Sequence, residues 1–231
     1  MVNNMEIKSI GRIHTDFPTK FGIPRQSGVV AELRGRIVFE PEYRNVDALR
    51  GIEGFSHLWL IWQFSEAVRD EWSPTVRPPI LGGNKRVGIF ATRSPFRPNP
   101  IGLSSVKLER VELDTPEGPV LVVSGADLMD GTPIFDIKPY IPYADSHPEA
   151  TEGFRTGGWN RMLAVDFPPE LLAKVPENRQ KALLGVLKND PRPSYHNDPE
   201  RVYGFPFGDM EIKFMVKDKI LQVVEIEVAH R

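Results

Sequence analysis

Cysteine is absent from the sequence. That removes disulfide staples, thiolate nucleophiles and cysteine-ligated zinc or iron–sulfur centres from consideration, and it fits a cytoplasmic protein. Long apolar runs are missing too. The longest, Leu58–Trp62, is far too short to span a bilayer, so no membrane association is expected. The first residues, MVNNMEIKSIGRIHT, lack a basic segment followed by an apolar one, so no secretory signal is expected. The usual catalytic fingerprints are also lacking. There is no GxGxxG after a strand, no GxxxxGK followed by Ser or Thr, no HExxH and no GxSxG. Rossmann and P-loop nucleotide chemistry, zinc peptidase chemistry and the hydrolase elbow are thereby left without their signatures. No tight His/Asp cluster suggests a general acid–base pair, and His57, inside the apolar run FSHLWLIW, reads as a hydrogen-bonded structural residue. No metal is expected.

The charge is close to balanced, −2 over 231 residues, but unevenly spread. From Arg77 to Arg110 there are seven Lys or Arg (Arg77, Lys85, Arg86, Arg93, Arg97, Lys107 and Arg110) against Glu109 alone. Such a stretch is either a solvated basic face or the footprint of a polyanion.

The first two-thirds of the chain is built of short strand-like runs. EIKSIGRIHT alternates through Ile7, Ile10 and Ile13, and FSHLWLIWQF is apolar on both faces, as suits a central strand. VVAELRGRIVFE, RVGIFAT, GLSSVKLERVEL, PVLVVSGADLM and PIFDIKPYI complete the set, with turn signals at Glu117–Pro119 and Asp130–Pro133. Many short strands with few helical windows argue for a mainly β fold, a barrel or a sandwich. One short helix is expected at NVDALRGI, capped by Asn45 and stopped by Gly51. The first domain should therefore span residues 1–143. Residues 144–167 are polar and glycine-rich and read as a linker or mobile loop. Residues 168–231 should form a small α+β subdomain. Its expected parts are an amphipathic helix carrying Leu183, Leu184 and Leu187, a break at DPRPSY, and a hairpin of Met210–Val216 and Ile220–Val228 around Lys217–Lys219. A unit of about 60 residues seldom stands alone, so it should dock on the first domain or on a second copy.

The stretch GIFATRSPFRPNPIG, Gly88–Gly102, is the most unusual. Pro95, Pro98 and Pro100 forbid a helix or a central strand and fix a loop that carries Arg93, Arg97 and Asn99. A stiff loop presents guanidinium forks and an amide at little ordering cost, as a carboxylate, phosphate or adenine edge would require. The same residues could instead make a rigid barrel corner whose arginines cap carbonyls. FGIPRQSG, Phe21–Gly28, and MDGTPIFDIKPY, Met129–Tyr140, are two further polar turns at strand ends, where β-barrels place ligands.

Taken together, GIFATRSPFRPNPIGLS, FSHLWLIW, RPPILGG and DGTPIFDIKPY resemble the TsaA-like, or TrmO, family across Ile7 to about Tyr143. LKNDPRPSY, Leu187–Tyr195, resembles the C-terminal extension of its bacterial members. The resemblance implies a single-sheeted β-barrel that binds S-adenosylmethionine, works as a homodimer, and methylates N6 of threonylcarbamoyladenosine at position 37, beside the anticodon of threonine tRNA. It implies a cofactor site made of Pro24, Arg25, Gln26, Ser65, Glu66, Arg93, Leu103, Asp130, Gly131, Thr132 and Pro133. Ser65 stands where relatives often carry His, and Ser194 where many carry Ala. Arg86, Arg97, Asn99, Arg192 and Tyr195 are the candidates for touching tRNA. Methyl transfer from a sulfonium needs positioning of an activated donor more than a metal or nucleophile, so no catalytic residue is named. The alternatives are a non-catalytic regulator that binds S-adenosylmethionine or a nucleotide, and an RNA-binding barrel with no cofactor.

Overall fold

The computed structural model describes residues 6–155, 162–193 and 198–228. Six strands close into an antiparallel barrel: β1 (Gly11–Thr15), β2 (Arg34–Phe39), β3 (His57–Gln63), β6 (Ile101–Glu112), β7 (Val120–Ser124) and β8 (Thr132–Pro139). Their order around it is β1-β2-β7-β6-β3-β8. Closure leaves no unpaired edge, and alternation fills the interior. In β3, Leu58, Leu60 and Trp62 point inward while Trp59 and Ile61 are half-buried outside. Ile13, Ile37, Val106, Leu121, Val123 and Ile134 complete the inner layer. The outer face of β3 is covered by a short helix, α1 (Pro142–Asp145). The Trp59 indole donates to the Asp145 carboxylate at 3.0 Å, and the Ile141 amide caps the same group at 2.8 Å.

The helix expected at NVDALRGI forms only as a 3-10 turn, Val46–Leu49. Asn45 caps it as expected, accepting from the Asp47 amide at 3.0 Å. Four residues between a cap and the left-handed Gly51 cannot repay α-helix nucleation. Between β3 and β6 the chain leaves the barrel over residues 64–100. The bond from the Phe64 amide to the Pro100 carbonyl, 2.8 Å, ties the base of this excursion. Inside it, β4 (Thr75–Val76) pairs with β5 (Val87–Gly88) as a two-stranded ribbon.

The C-terminal unit is a four-stranded sheet under helices. β9 (Ala164–Asp166), β10 (Tyr203–Phe207), β11 (Met210–Lys217) and β12 (Ile220–Val228) order as β10-β11-β12-β9, with β9 parallel to β12. β9 lies inside the stretch read from sequence as a linker. The expected helix is split into α2 (Pro169–Leu172) and α3 (Glu177–Lys188), because Pro176 starts a second helix. Leu183 and Leu187 are buried and Leu184 half-buried. The hairpin turns through Asp218 and Lys219, both at positive φ (52° and 63°), the conformation a two-residue hairpin turn requires.

The two units share one packed seam. Phe17, Val30 and Leu33, all from the connection between β1 and β2, belong to the C-terminal core with Leu183, Leu187, Phe205 and Phe207. Phe17 meets Phe207 edge-on, 5.6 Å between centroids. Arg179 of α3 bridges Asp16 at 3.1 Å and Asp209 at 2.9 Å. Of the two docking partners left open by the sequence, the first domain or a second copy, the structure shows the first, through this connection.

Candidate functional site

Antiparallel closure puts the C-terminal ends of β1, β3 and β7 and the N-terminal ends of β2, β6 and β8 at the same rim of the barrel. The residues picked out by the resemblance lie in the connections off that rim or in the first three residues of the strands that start there. Pro24, Arg25 and Gln26 stand between β1 and β2. Ser65, Glu66 and Arg93 stand between β3 and β6, Leu103 opens β6, and Asp130–Pro133 leads into β8. Positions up to 109 residues apart in sequence thus come to one end of the molecule by topology alone.

Contacts then link several of them. Arg93 donates to the Gln26 side-chain carbonyl, joining the proline-fixed loop to the first polar turn. The Gln26 amide in turn donates to the carbonyl of Arg25. Asp130 accepts from the Thr15 amide at 3.0 Å and meets His14 Nδ1 at 3.2 Å. The turn around it is pinned by amide bonds from Asp130 to the Phe17 carbonyl and from Gly131 to the Ile13 carbonyl, both 2.8 Å. Thr132 is buried and donates to the Met129 carbonyl at 2.6 Å, and Pro133 is buried behind it. Leu103 is 58% exposed, an apolar side chain left open at the rim. Ser65 and Glu66 are exposed on the 3-10 turn Ser65–Ala67 that follows β3.

A polar chain that sequence spacing did not suggest runs beneath this rim. The buried Trp62 indole donates to Ser104 Oγ at 3.0 Å, and Ser104 donates to Asp127 Oδ1 at 2.6 Å. The Ser27 amide, next to Gln26, also bonds the Asp127 carboxylate. Burial pushes the Asp127 carboxyl up from its ordinary value. The Ser104 hydroxyl, the backbone amides and the charge of Arg93 pull the other way without cancelling the effect. The only hint in the sequence is an acid closely following the apolar run of LVVSGADL. The His14–Asp130 pair is likewise invisible to spacing, its members standing 116 residues apart.

The two loop arginines divide between the two readings of the loop. Arg93 reaches across to Gln26, whereas Arg97 is half-buried and donates to the Thr92 carbonyl at 2.7 Å and the Ile89 carbonyl at 3.4 Å. Arg97 therefore caps carbonyls of its own loop through Nη1, as the corner reading expects. Asn99 is exposed, and its carbonyl accepts from Ile101 at 2.7 Å. Arg86 is exposed and donates to Thr75 Oγ1 at 3.2 Å across the ribbon. Arg192 does not offer the surface cation expected of it. It forms a two-pronged pair with Asp190, at 2.7 and 2.9 Å, with side chains only 11% and 7% exposed. Its charge is therefore met by a carboxylate of its own turn, two residues beyond the end of α3. Tyr195, like Ser194, lies outside the described residues. His57, at the start of β3, is exposed, and its Nδ1 lies 2.9 Å from the hydroxyl of the neighbouring Ser56.

The chain is similar to known proteins over nearly its whole length. The family model for the tRNA-methyltransferase O N-terminal domain matches residues 12–146, and that for the TrmO C-terminal domain matches residues 160–229. The chain is 39% identical over 234 residues to the tRNA (adenine(37)-N6)-methyltransferase of Escherichia coli, covering 98% of this chain and 99% of that one. It is 43% identical over 176 residues to the enzyme of that name from Eikenella corrodens, covering 76% of this chain and 98% of the relative. A crystal structure of TrmO from Pseudomonas aeruginosa aligns over 99% of both chains with a TM-score of 0.80 and 32% identity.

Proposed function

The chain belongs to the tRNA-methyltransferase O family, and from that premise we propose that it methylates N6 of adenosine 37 in tRNA, using S-adenosylmethionine. The observation that carries the proposal is the convergence of Pro24–Gln26, Arg93, Leu103 and Asp130–Pro133 on one rim of a closed barrel. The donor set fits the cofactor. Arg93 is a cation for a carboxylate, Asp130 a half-exposed acceptor for hydroxyl or ammonium groups, and Leu103 an open apolar surface for a purine ring. Asp127 is a desolvated carboxylate with one charged neighbour, Arg93, and a cationic ligand at this rim would relieve its burial.

When bound, the cofactor supplies a methyl group on a positively charged sulfur. That methyl group would pass to N6, leaving a neutral thioether, and the N6 proton would pass to solvent. The protein's residues have to bind, align and exclude water. The pinned turn at Asp130–Thr132 and the proline-fixed loop suit that work, since their polar groups need little reordering on binding. The finer reading is that the acceptor is the threonylcarbamoyl form of adenosine 37 in threonine tRNA. The enzyme acts as a cytoplasmic homodimer, and the exposed cations Arg77, Lys85 and Arg86 face the RNA backbone.

Incubation with labelled S-adenosylmethionine and threonylcarbamoylated tRNA tests this. One methyl group should appear on the modified adenosine by nucleoside mass spectrometry, and sedimentation of the same preparation should give about twice 26.1 kDa. Cofactor binding without any methyl transfer would leave the regulator reading in its place.

A further inference from the structure

The excursion between β3 and β6 keeps its largest side chains outside. Among the hydrophobic residues of 64–100 only Ile89 is buried, whereas Phe90 is 74% and Trp72 51% exposed. The ribbon of β4 and β5 sets these two side by side. Thr75 pairs with Gly88 and Val76 with Val87, so Trp72 precedes one strand where Phe90 follows the other. Their ring centroids lie 6.2 Å apart with planes tilted by 34°.

Cations surround the pair. The Arg69 guanidinium sits 3.8 Å over the centroid of Phe96, itself exposed, and Arg97 lies 5.9 Å from the ring of Phe90. Arg77, Lys85 and Arg86 are exposed around the same ribbon. Asp70 and Glu71 precede Trp72, and no acid follows until Glu109. Contiguous exposed aromatic surface on a soluble chain marks a contact site. Two occupants are conceivable, a second copy of the chain or an RNA with unpaired bases. A two-fold contact through this patch would set the cationic segment against its own copy, a like-charge juxtaposition. An RNA loop brings phosphates for the cations and π faces for the rings, so charge complementarity selects it. The position agrees, because Arg93, three residues beyond Phe90, bonds Gln26 at the barrel rim.

We infer that Trp72 and Phe90 form a stacking platform for unpaired bases of the anticodon loop, holding the loop beside the rim while the target adenosine enters it. The inference rests on the tRNA-methylation reading. It assigns the rings a role separate from the phosphate contacts of the cations. Stacking is sequence-tolerant and involves no released counterion, so its loss weakens binding at every salt concentration alike.

The test uses the full-length protein carrying Trp72→Ala and Phe90→Ala together, and in parallel Trp72→Phe with Phe90→Tyr. An anticodon stem-loop RNA is titrated by fluorescence anisotropy over a salt series. S-adenosylhomocysteine binding is measured by calorimetry and oligomeric state by sedimentation. The alanine pair should weaken RNA binding by about 5- to 150-fold per lost stack, with the slope of log K against log salt unchanged. Cofactor-product affinity and oligomeric state should stay as in the wild type, and the aromatic pair should bind RNA normally. Wild-type RNA affinity in the alanine pair overturns the inference. So does a loss that accompanies dissociation of an oligomer, which would make the patch an interface between copies. If the wild-type protein itself binds no stem-loop, the tRNA reading falls and the platform falls with it.

Discussion

Asp127 shows what a single residue under the rim costs and supplies. Its folded-state carboxyl titrates above the unfolded value because burial penalises the charge. Below the unfolded pKa both states are protonated and the penalty is absent. As pH rises through the folded pKa the native state must ionise a desolvated group, so the penalty is fully present on the alkaline side of that range. Asp127→Asn keeps an oxygen for Ser104 to donate to and removes the charge. Its thermal midpoint at pH 7 should therefore lie above that of the wild type, and the gap should shrink on acidification. S-adenosylmethionine binding should weaken, because the cation loses its buried counter-charge. A gap between variant and wild type no larger at pH 7 than at pH 4 would show that Asp127 is comfortably solvated as an anion. None of this was legible in the sequence. Motif reading finds residue types at short spacing, and Asp127 acquires its meaning from Ser104, Ser27 and Arg93, which only barrel closure brings near it. Arg192 makes the same point from the other side. DPRPSY announces a stiff, cationic turn, and the partner that consumes its charge, Asp190, stands two residues earlier in a left-handed conformation that sequence does not report.

Among the elements, strands were the more legible. Alternation in β1 and the paired runs of β11 and β12 follow from side-chain period, and β3 and β8 show as short apolar runs bounded by turn signals. Short connecting pieces were not. The 3-10 turn at Val46–Leu49 replaced a helix, and β9 and β10 are strands whose identity comes from the sheet they join. The turn that carries Pro24–Gln26 is the consequential case. It reads as a polar loop, yet Gly22 lies against the ring of Phe205, where an added Cβ would stand 2.4 Å from the nearest ring carbon, at a φ of +82°. Gly28, at the other end of the same turn, also has positive φ, +77°, but nothing within 4 Å of its Cβ position. Both Gly→Ala changes incur the left-handed backbone cost of about 1–2 kcal/mol. Gly22→Ala must in addition move Phe205 or the turn, which is a packing strain of about 1–3 kcal/mol more. We expect Gly22→Ala to lower both the thermal midpoint and S-adenosylhomocysteine affinity well beyond Gly28→Ala. Calorimetric titration of the two variants side by side decides it, and equal affinities would mean that the turn is not held by the C-terminal unit.

For the molecule as a whole, this seam changes the expected division of labour. Every sequence motif for the cofactor lies before Tyr143, from which a chain ending near Asp166 should still bind S-adenosylmethionine and lose only RNA affinity. The packing argues otherwise. Phe17, Val30 and Leu33 flank the Pro24–Gln26 turn and are buried in the C-terminal core, where Val30 also lies against Gly185 of α3. Arg179 ties Asp16 to Asp209, and the Gly208 amide donates to the Asp16 carbonyl at 2.6 Å. Removing residues after Asp166 would expose all three apolar side chains, at about 1.5–3 kcal/mol each, and free the turn from its support. The truncated barrel should therefore bind S-adenosylhomocysteine at least tenfold more weakly than the intact chain, a loss of about 1.4 kcal/mol or more. Circular dichroism on the same sample separates a folded barrel with a loosened turn from one that has unfolded. Arg179→Ala in the full-length protein supplies the second arm. It leaves the C-terminal core in place and cuts only the ionic tie, so it should lower cofactor-product affinity by less than truncation while leaving the fold intact. A folded truncated barrel with undiminished affinity would restore the simpler division, in which the barrel is self-sufficient and the C-terminal unit serves RNA or assembly alone.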